Sequence, residues 1–213
     1  MLSRPEAVQF HLGLGRRAGS DWSMLHLAWH RILRDQSLDE LRRDYPCPYA
    51  VVSLPLDPLV DEALRTLARR VARRYANGLN GPAYGFGEAR ATFAPDDARL
   101  SDPDAAFTCA TFVLQMLRSV GVRLVDPERW RAPTPDDLRW QETVGARLVA
   151  WIDQRLHGDL LRARERIDHD LGALRFRPAD VAGAALLPSD EWPATADAVA
   201  PHARFLEGLL APQ

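Results

Sequence analysis

The chain has 213 residues, 46% of them apolar, which is enough for an ordinary buried core without disulfide or metal staples. Its formal charge of −2, from 29 acidic and 27 basic residues, argues against a nucleic-acid or membrane-surface protein. All 27 basic residues are arginine, a bias that GC-rich coding explains and that points to a bacterial source.

Two cysteines, Cys47 and Cys109, do not make a disulfide framework. No stretch reaches the length of a membrane span, and the first residues lack the uninterrupted apolar core of a signal peptide. A cytoplasmic protein is therefore expected.

In chain order, residues 7–15 read as a strand running into a turn. Gly13-Leu14-Gly15-Arg16-Arg17-Ala18 matches a relaxed dinucleotide fingerprint, but Gly19-Ser20-Asp21 follows where a helix is required, so we read a turn. Residues 22–35 suit a strand, with Leu25, Leu27, Trp29 and Leu33 on one face and Met24, His26, Ala28 and His30 on the other. Residues 36–44 are polar and fit a turn or a short helix. Around Pro46 and Pro48 the chain must be extended, and residues 49–54 then read as a short strand.

Asp57 and Pro58 open a helix by supplying an N-cap and a proline at the first helical position. Its apolar stripe runs from Val60 to Tyr75, Gly78 ends it, and its arginine row is a solvated face. Residues 77–103 are rich in glycine and proline, with Tyr84-Gly85-Phe86-Gly87 in the middle. Such a segment can shape a substrate cleft.

Thr108 then caps a helix with a broad apolar face, and Gly121 sits where a left-handed residue would stop it. Beyond Trp130, Thr134-Pro135 begins a long helical region reaching towards Leu174, with a break at Gly158. The proline-interrupted remainder holds one more helix, over residues 201–210.

Cys109 falls in the first turn of the Thr108-capped helix, where free amides and the helix dipole favour a thiolate. With a histidine in reach it becomes a candidate nucleophile, and that histidine needs an orienting partner. His26 is the candidate base. Ser53, on the expected second strand, is the first choice to orient it, followed by Asp35 and Asp39. A metal site is not expected. His26 and His30 have the spacing of one helical turn, but Leu27 stands where the zinc-protease glutamate would be, and His157 and His169 do not converge. No cofactor is expected either, and neither cysteine sits in a redox motif.

These residues also carry a resemblance. Leu25-His26-Leu27-Ala28-Trp29-His30 resembles the histidine strand of NlpC-type papain-like proteins. Phe107-Thr108-Cys109-Ala110-Thr111-Phe112-Val113, followed by Leu117 and Gly121, resembles their cysteine helix. The histidine precedes the cysteine, as in the circularly permuted branch that includes bacterial amidase-like proteins and the lecithin:retinol acyltransferase group. The likeness covers roughly residues 20–130. It implies an α+β fold with a small antiparallel sheet packed on the cysteine helix over residues 1–132. A mostly helical extension over residues 133–213 would pack on the same domain.

It further implies a cysteine peptidase or amidase in which Cys109 attacks a carbonyl and His26 is the base. A polar residue on the following strand would steer the histidine, but no clear match is evident there. Tyr84 could add a donor to substrate. The partner would be a peptide, or an amide or ester small molecule, and the oligomeric state is left open. Two alternatives stand beside this reading: a non-catalytic papain-like module that grips a peptide or protein, and a cysteine acyltransferase.

Overall fold

A computed structural model describes residues 10–18, 21–76, 78–87, 90–156, 158 and 160–211. Strands β1 (Leu14–Ala18), β2 (Asp21–Trp29) and β3 (Ile32–Ser37) form an antiparallel sheet in that order. Helices α1 (Leu38–Asp44) and α2 (Pro58–Tyr75) follow. A short parallel pair, β4 (Ala83–Tyr84) and β5 (Ala106–Phe107), precedes α3 (Cys109–Arg118). Among the described residues that follow are the α-helices α4 (Pro135–Arg155), α5 (Leu160–Asp170), α6 (Pro178–Ala184) and α7 (Ala196–Leu210). The expected mixed α+β class with a small antiparallel sheet is what the chain adopts. No helix among the described residues is long and apolar enough to cross a membrane.

Capping chemistry sets the helix boundaries. Asp57 accepts from the Leu59 amide ahead of Pro58, and Thr108 and Thr111 exchange backbone and hydroxyl bonds in a capping box before Cys109. Thr134 and Asp137 make the same exchange at α4. Gly121 adopts φ +85°, as expected after α3. The long helical region does break, with α4 ending at Arg155 and α5 beginning at Leu160.

Several expectations fail. The single strand over residues 22–35 is a hairpin, bulged between Leu27 and Trp29 and turning at His30 and Arg31. No glycine or asparagine marks this turn. Arg31 is instead held at φ 56° by tertiary bonds, donating its amide to Pro82 O at 3.1 Å and accepting from the Gly81 amide at 3.0 Å. A Cβ at Gly81 would lie 3.0 Å from Arg31 O, so only glycine fits this approach comfortably.

Residues 49–54 form no strand. Val51 is 71% exposed, and the Tyr49 hydroxyl instead donates to Leu41 O at 2.8 Å, tying the segment to α1. The first strand occupies Leu14–Ala18, where a turn was expected and where pairing with β2 makes it a strand instead, rather than residues 7–15, of which 7–9 lie outside the described part. In the C-terminal region α6 was not anticipated. Helix α7 starts at Ala196 under a Thr195 cap, with Pro201 inside it.

The core joins one face of the sheet to α2 and α3. Leu25, Leu27 and Leu33 meet Leu67, Val71, Phe112, Met116 and Leu117, all essentially inaccessible. Phe93 sits between Phe107 at 6.2 Å and Phe112 at 5.9 Å.

A buried carboxylate anchors the C-terminal half to α4. Asp137 is 2% exposed; its Oδ1 accepts from Arg175 at 3.0 Å and from Arg177 at 2.8 Å, while its Oδ2 takes the Thr134 amide and hydroxyl. Burial works against the charged form, but the Thr134 and Arg177 bonds outweigh it and hold the carboxyl pKa at about 2. Removing one partner of such a network strands the others, so Asp137→Asn should cost about 3 kcal/mol. Urea unfolding at neutral pH measures this directly.

Candidate active site

His26 lies on the central strand with no accessible surface. Strand alternation sends it to the face opposite Leu25 and Leu27, where the α1 end of the molecule covers it. Tyr45, the residue after α1, sets its ring edge-on to His26 at 6.1 Å. Gly13 leaves the room that this imidazole needs: a Cβ there would lie 2.8 Å from His26 Cβ.

Both ring nitrogens of His26 are engaged. Nε2 is 2.8 Å from Gln36 Oε1 and Nδ1 is 2.7 Å from His11 Nε2. Gln36 Nε2 donates in turn to Asp44 Oδ2 at 2.8 Å, and this bond fixes every proton in the row. A carboxylate accepts, so the amide nitrogen faces Asp44 and the amide oxygen faces His26. His26 must then carry its proton on Nε2 and keep the Nδ1 lone pair, which accepts from His11 Nε2–H. Burial, more than any neighbouring charge, lowers the His26 pKa, against the raising effect of Gln36. His11 is also lowered, by desolvation of its inner edge and by His26, although its outer surface meets solvent. The row therefore consists of neutral imidazoles.

Gln36 lies on β3, the strand after His26, and was not among the residues expected to orient that histidine. The hairpin turn has no sequence signal, so the expected strand runs on to Asp35 and leaves Gln36 at the head of the polar segment 36–44, read as a turn or a short helix. None of the three guesses stands beside the His26 ring nitrogens. Asp35 points to the other face and pairs with Arg16, Asp39 is exposed on α1, and Ser53 lies in the irregular segment.

Cys109 opens α3 and is 7% exposed. Burial pushes its thiol pKa up, while the amides of Leu12, Ala110 and Cys109 itself pull it down and prevail only in part. The expected helix-terminus thiolate is thus a neutral thiol here, because desolvation exceeds what the first-turn amides return. Tyr84 and Arg175 lie within electrostatic reach of it. The Tyr84 hydroxyl is shifted upward by burial and by proximity to Cys109.

The loop that carries Tyr84 is built to fit. The Tyr84 amide donates to His30 Nδ1 at 3.2 Å, and the Phe86 and Gly87 amides donate to Asp170 Oδ2 at 3.1 and 2.8 Å. A Cβ at Gly85 would strike Ala106 at 2.7 Å and one at Gly87 would strike Asp170 at 2.8 Å, which accounts for the two glycines. Arg175 stacks 3.9 Å above the Trp140 ring, and its loop is pinned by Gln141, whose amide bonds Ala173 O and Gly172 N at 2.9 Å each. Sequence reasoning missed Arg175. Only the tertiary fold brings a residue 66 positions downstream of Cys109 within its electrostatic reach.

The two predicted catalytic residues are thus linked through the chain rather than in contact. His11 touches His26, and the amide of the next residue, Leu12, faces the Cys109 sulfur. His26 and His30 do not share a site, since His30 belongs to the hairpin turn beside Trp151. Among the described residues no group of three or more histidine, cysteine or acidic side chains is arranged to hold a metal ion. Compared with known proteins, the chain matches no family model, no curated protein and no solved structure.

The neutral His26 makes stability depend on pH. Unfolded, it takes a proton near 6.5; folded, it resists. Its contribution is therefore complete above pH 6.5 and is lost as pH falls towards the lowered folded value. The slope approaches at most about 1.4 kcal/mol per pH unit for each such proton. Urea unfolding of the native chain between about pH 7.5 and 5.5 should show a steeper loss than His26→Gln.

Proposed function

We propose that this chain is a thiol-dependent hydrolase of amide or ester bonds, with Cys109 as nucleophile, His26 as base and Gln36 as the residue that positions His26. The observation that carries this reading is the 2.8 Å bond from His26 Nε2–H to Gln36 Oε1. It supplies, on the strand after the histidine, the steering residue that the permuted papain-like resemblance requires. It also leaves the lone pair on Nδ1, the nitrogen that must take a thiol proton.

On this reading Cys109 Sγ bonds to the substrate carbonyl carbon and its proton passes to His26 Nδ1. The Leu12 and helix-terminal amides steady the oxyanion. Collapse of the tetrahedral adduct breaks the bond to the leaving amine or alcohol, which takes the proton from His26. Water then attacks the thioester, gives a proton to His26, and releases the acid with the thiol restored. An amine or alcohol in place of water gives acyl transfer. Tyr84 and Arg175, within electrostatic reach of the sulfur, would bind the polar end of the acyl group. Because His11 now donates to His26 Nδ1, the cycle begins only when the His11–Leu12 segment yields that position to the thiol.

Those same two observations, the occupied Nδ1 and the neutral buried thiol, favour a second reading: a non-catalytic module that grips a peptide or protein on this scaffold.

Incubation with 4-nitrophenyl acetate, followed by mass spectrometry of the acetyl adduct and by release rates, separates the two. A hydrolase forms the adduct on Cys109, and Cys109→Ser or His26→Ala lowers turnover by at least about 100-fold. Gln36→Leu should lower kcat and displace the pH optimum, with Gln36→Asn restoring part of both. Absence of a Cys109 adduct across the pH range would leave the binding module.

A further inference from the structure

Helix α3 also presents a face turned away from Cys109. A cavity of about 300 Å³ opens there, the lower end of the range for small-molecule sites. Gln115 lines it and is 7% exposed, and its Oε1 is fully buried without a hydrogen-bond partner. A buried amide oxygen left in this state is unfavourable unless something donates to it. Around the cavity stand Arg90, Arg118 and Arg123, with Glu128 as the one carboxylate. Among the described residues no acidic side chain pairs with any of the three guanidiniums. Leu114, Val125 and Phe176 supply apolar lining.

We propose that this cavity binds a small organic monoanion that combines a carboxylate, an N–H donor and a short apolar side chain, the chemistry of an N-acylated amino acid. The carboxylate answers the three guanidiniums, because a planar two-oxygen anion matches their paired donors. Glu128 sets a limit on the charge and disfavours a multiply charged anion. The N–H pairs with Gln115 Oε1 once that side chain turns the enclosed oxygen into the cavity, and the side chain of the ligand covers the Leu114, Val125 and Phe176 surface. This site stands independently of the chemistry assigned to Cys109, since none of its lining residues belongs to that cluster.

Calorimetric titration of the full chain with N-acetyl-L-leucine tests the proposal. Comparison probes are N-acetyl-L-leucinamide, which lacks the charge, 4-methylpentanoate, which lacks the donor, and inorganic phosphate. Saturable binding of N-acetyl-L-leucine is expected, weakened about tenfold or more by loss of the carboxylate and by the Arg118→Gln/Arg123→Gln pair. Both arginines are exposed, so the pair should keep the native melting temperature. Gln115→Leu should reduce the affinity for N-acetyl-L-leucine to that for 4-methylpentanoate. Should that variant fail to fold, the arginine pair and the three comparison probes decide alone. The proposal is overturned by no saturable binding up to about 10 mM, by phosphate binding as tightly as N-acetyl-L-leucine, or by affinity indifferent to the arginine pair.

Discussion

One row of hydrogen bonds, Asp44 to Gln36 to His26 to His11, sets the proton positions around the buried His26. Its direction follows from a single fact, that a carboxylate can only accept. That fact orients the Gln36 amide, selects the His26 tautomer and leaves the basic lone pair on Nδ1. The row also joins four separate pieces of chain. Asp44 ends α1, Gln36 lies on β3, His26 on β2, and His11 in the segment leading into β1. Burial of His26 makes the row more sensitive to a lost partner, since an unpaired polar atom there has no water to turn to.

Cys109 shows the opposite balance. Helix position supplies amides that favour a thiolate, yet the sulfur is buried, and desolvation prevails. Position on a helix is thus a local effect, and enclosure is a property of the whole fold. The amide that faces the sulfur and the ring that caps His26 Nδ1 come from adjacent residues of the N-terminal segment, Leu12 and His11. In the proposed hydrolase this segment separates a resting arrangement from a reactive one.

How much of this could be read from the sequence depended on whether the deciding signal was local. Caps are local, so the starts of α2, α3 and α4 were legible at Asp57, Thr108 and Thr134. Alternation is local, and it correctly set His26 apart from Leu25 and Leu27. The hairpin at Arg31 is not local, because the Gly81–Pro82 backbone imposes it from 50 residues downstream. Missing that turn hid Gln36 and drew attention to Ser53 on a strand that does not form. Arg175 and Asp137 were invisible for the same reason. Their meeting depends on the Gln141 contacts that fold the chain back after α5.

The central claim is that His26 Nδ1 is a base held away from Cys109 by His11. The most direct test is the pH profile of iodoacetamide labelling at Cys109, read by mass spectrometry in a Cys47→Ser background, because Cys47 is exposed and would also react. Labelling should be slow at neutral pH with His11 present. In His11→Ala it should become fast and extend to lower pH, and this gain should disappear when His26→Ala is added. Identical profiles with and without His11, or a gain that survives the loss of His26, would contradict the account.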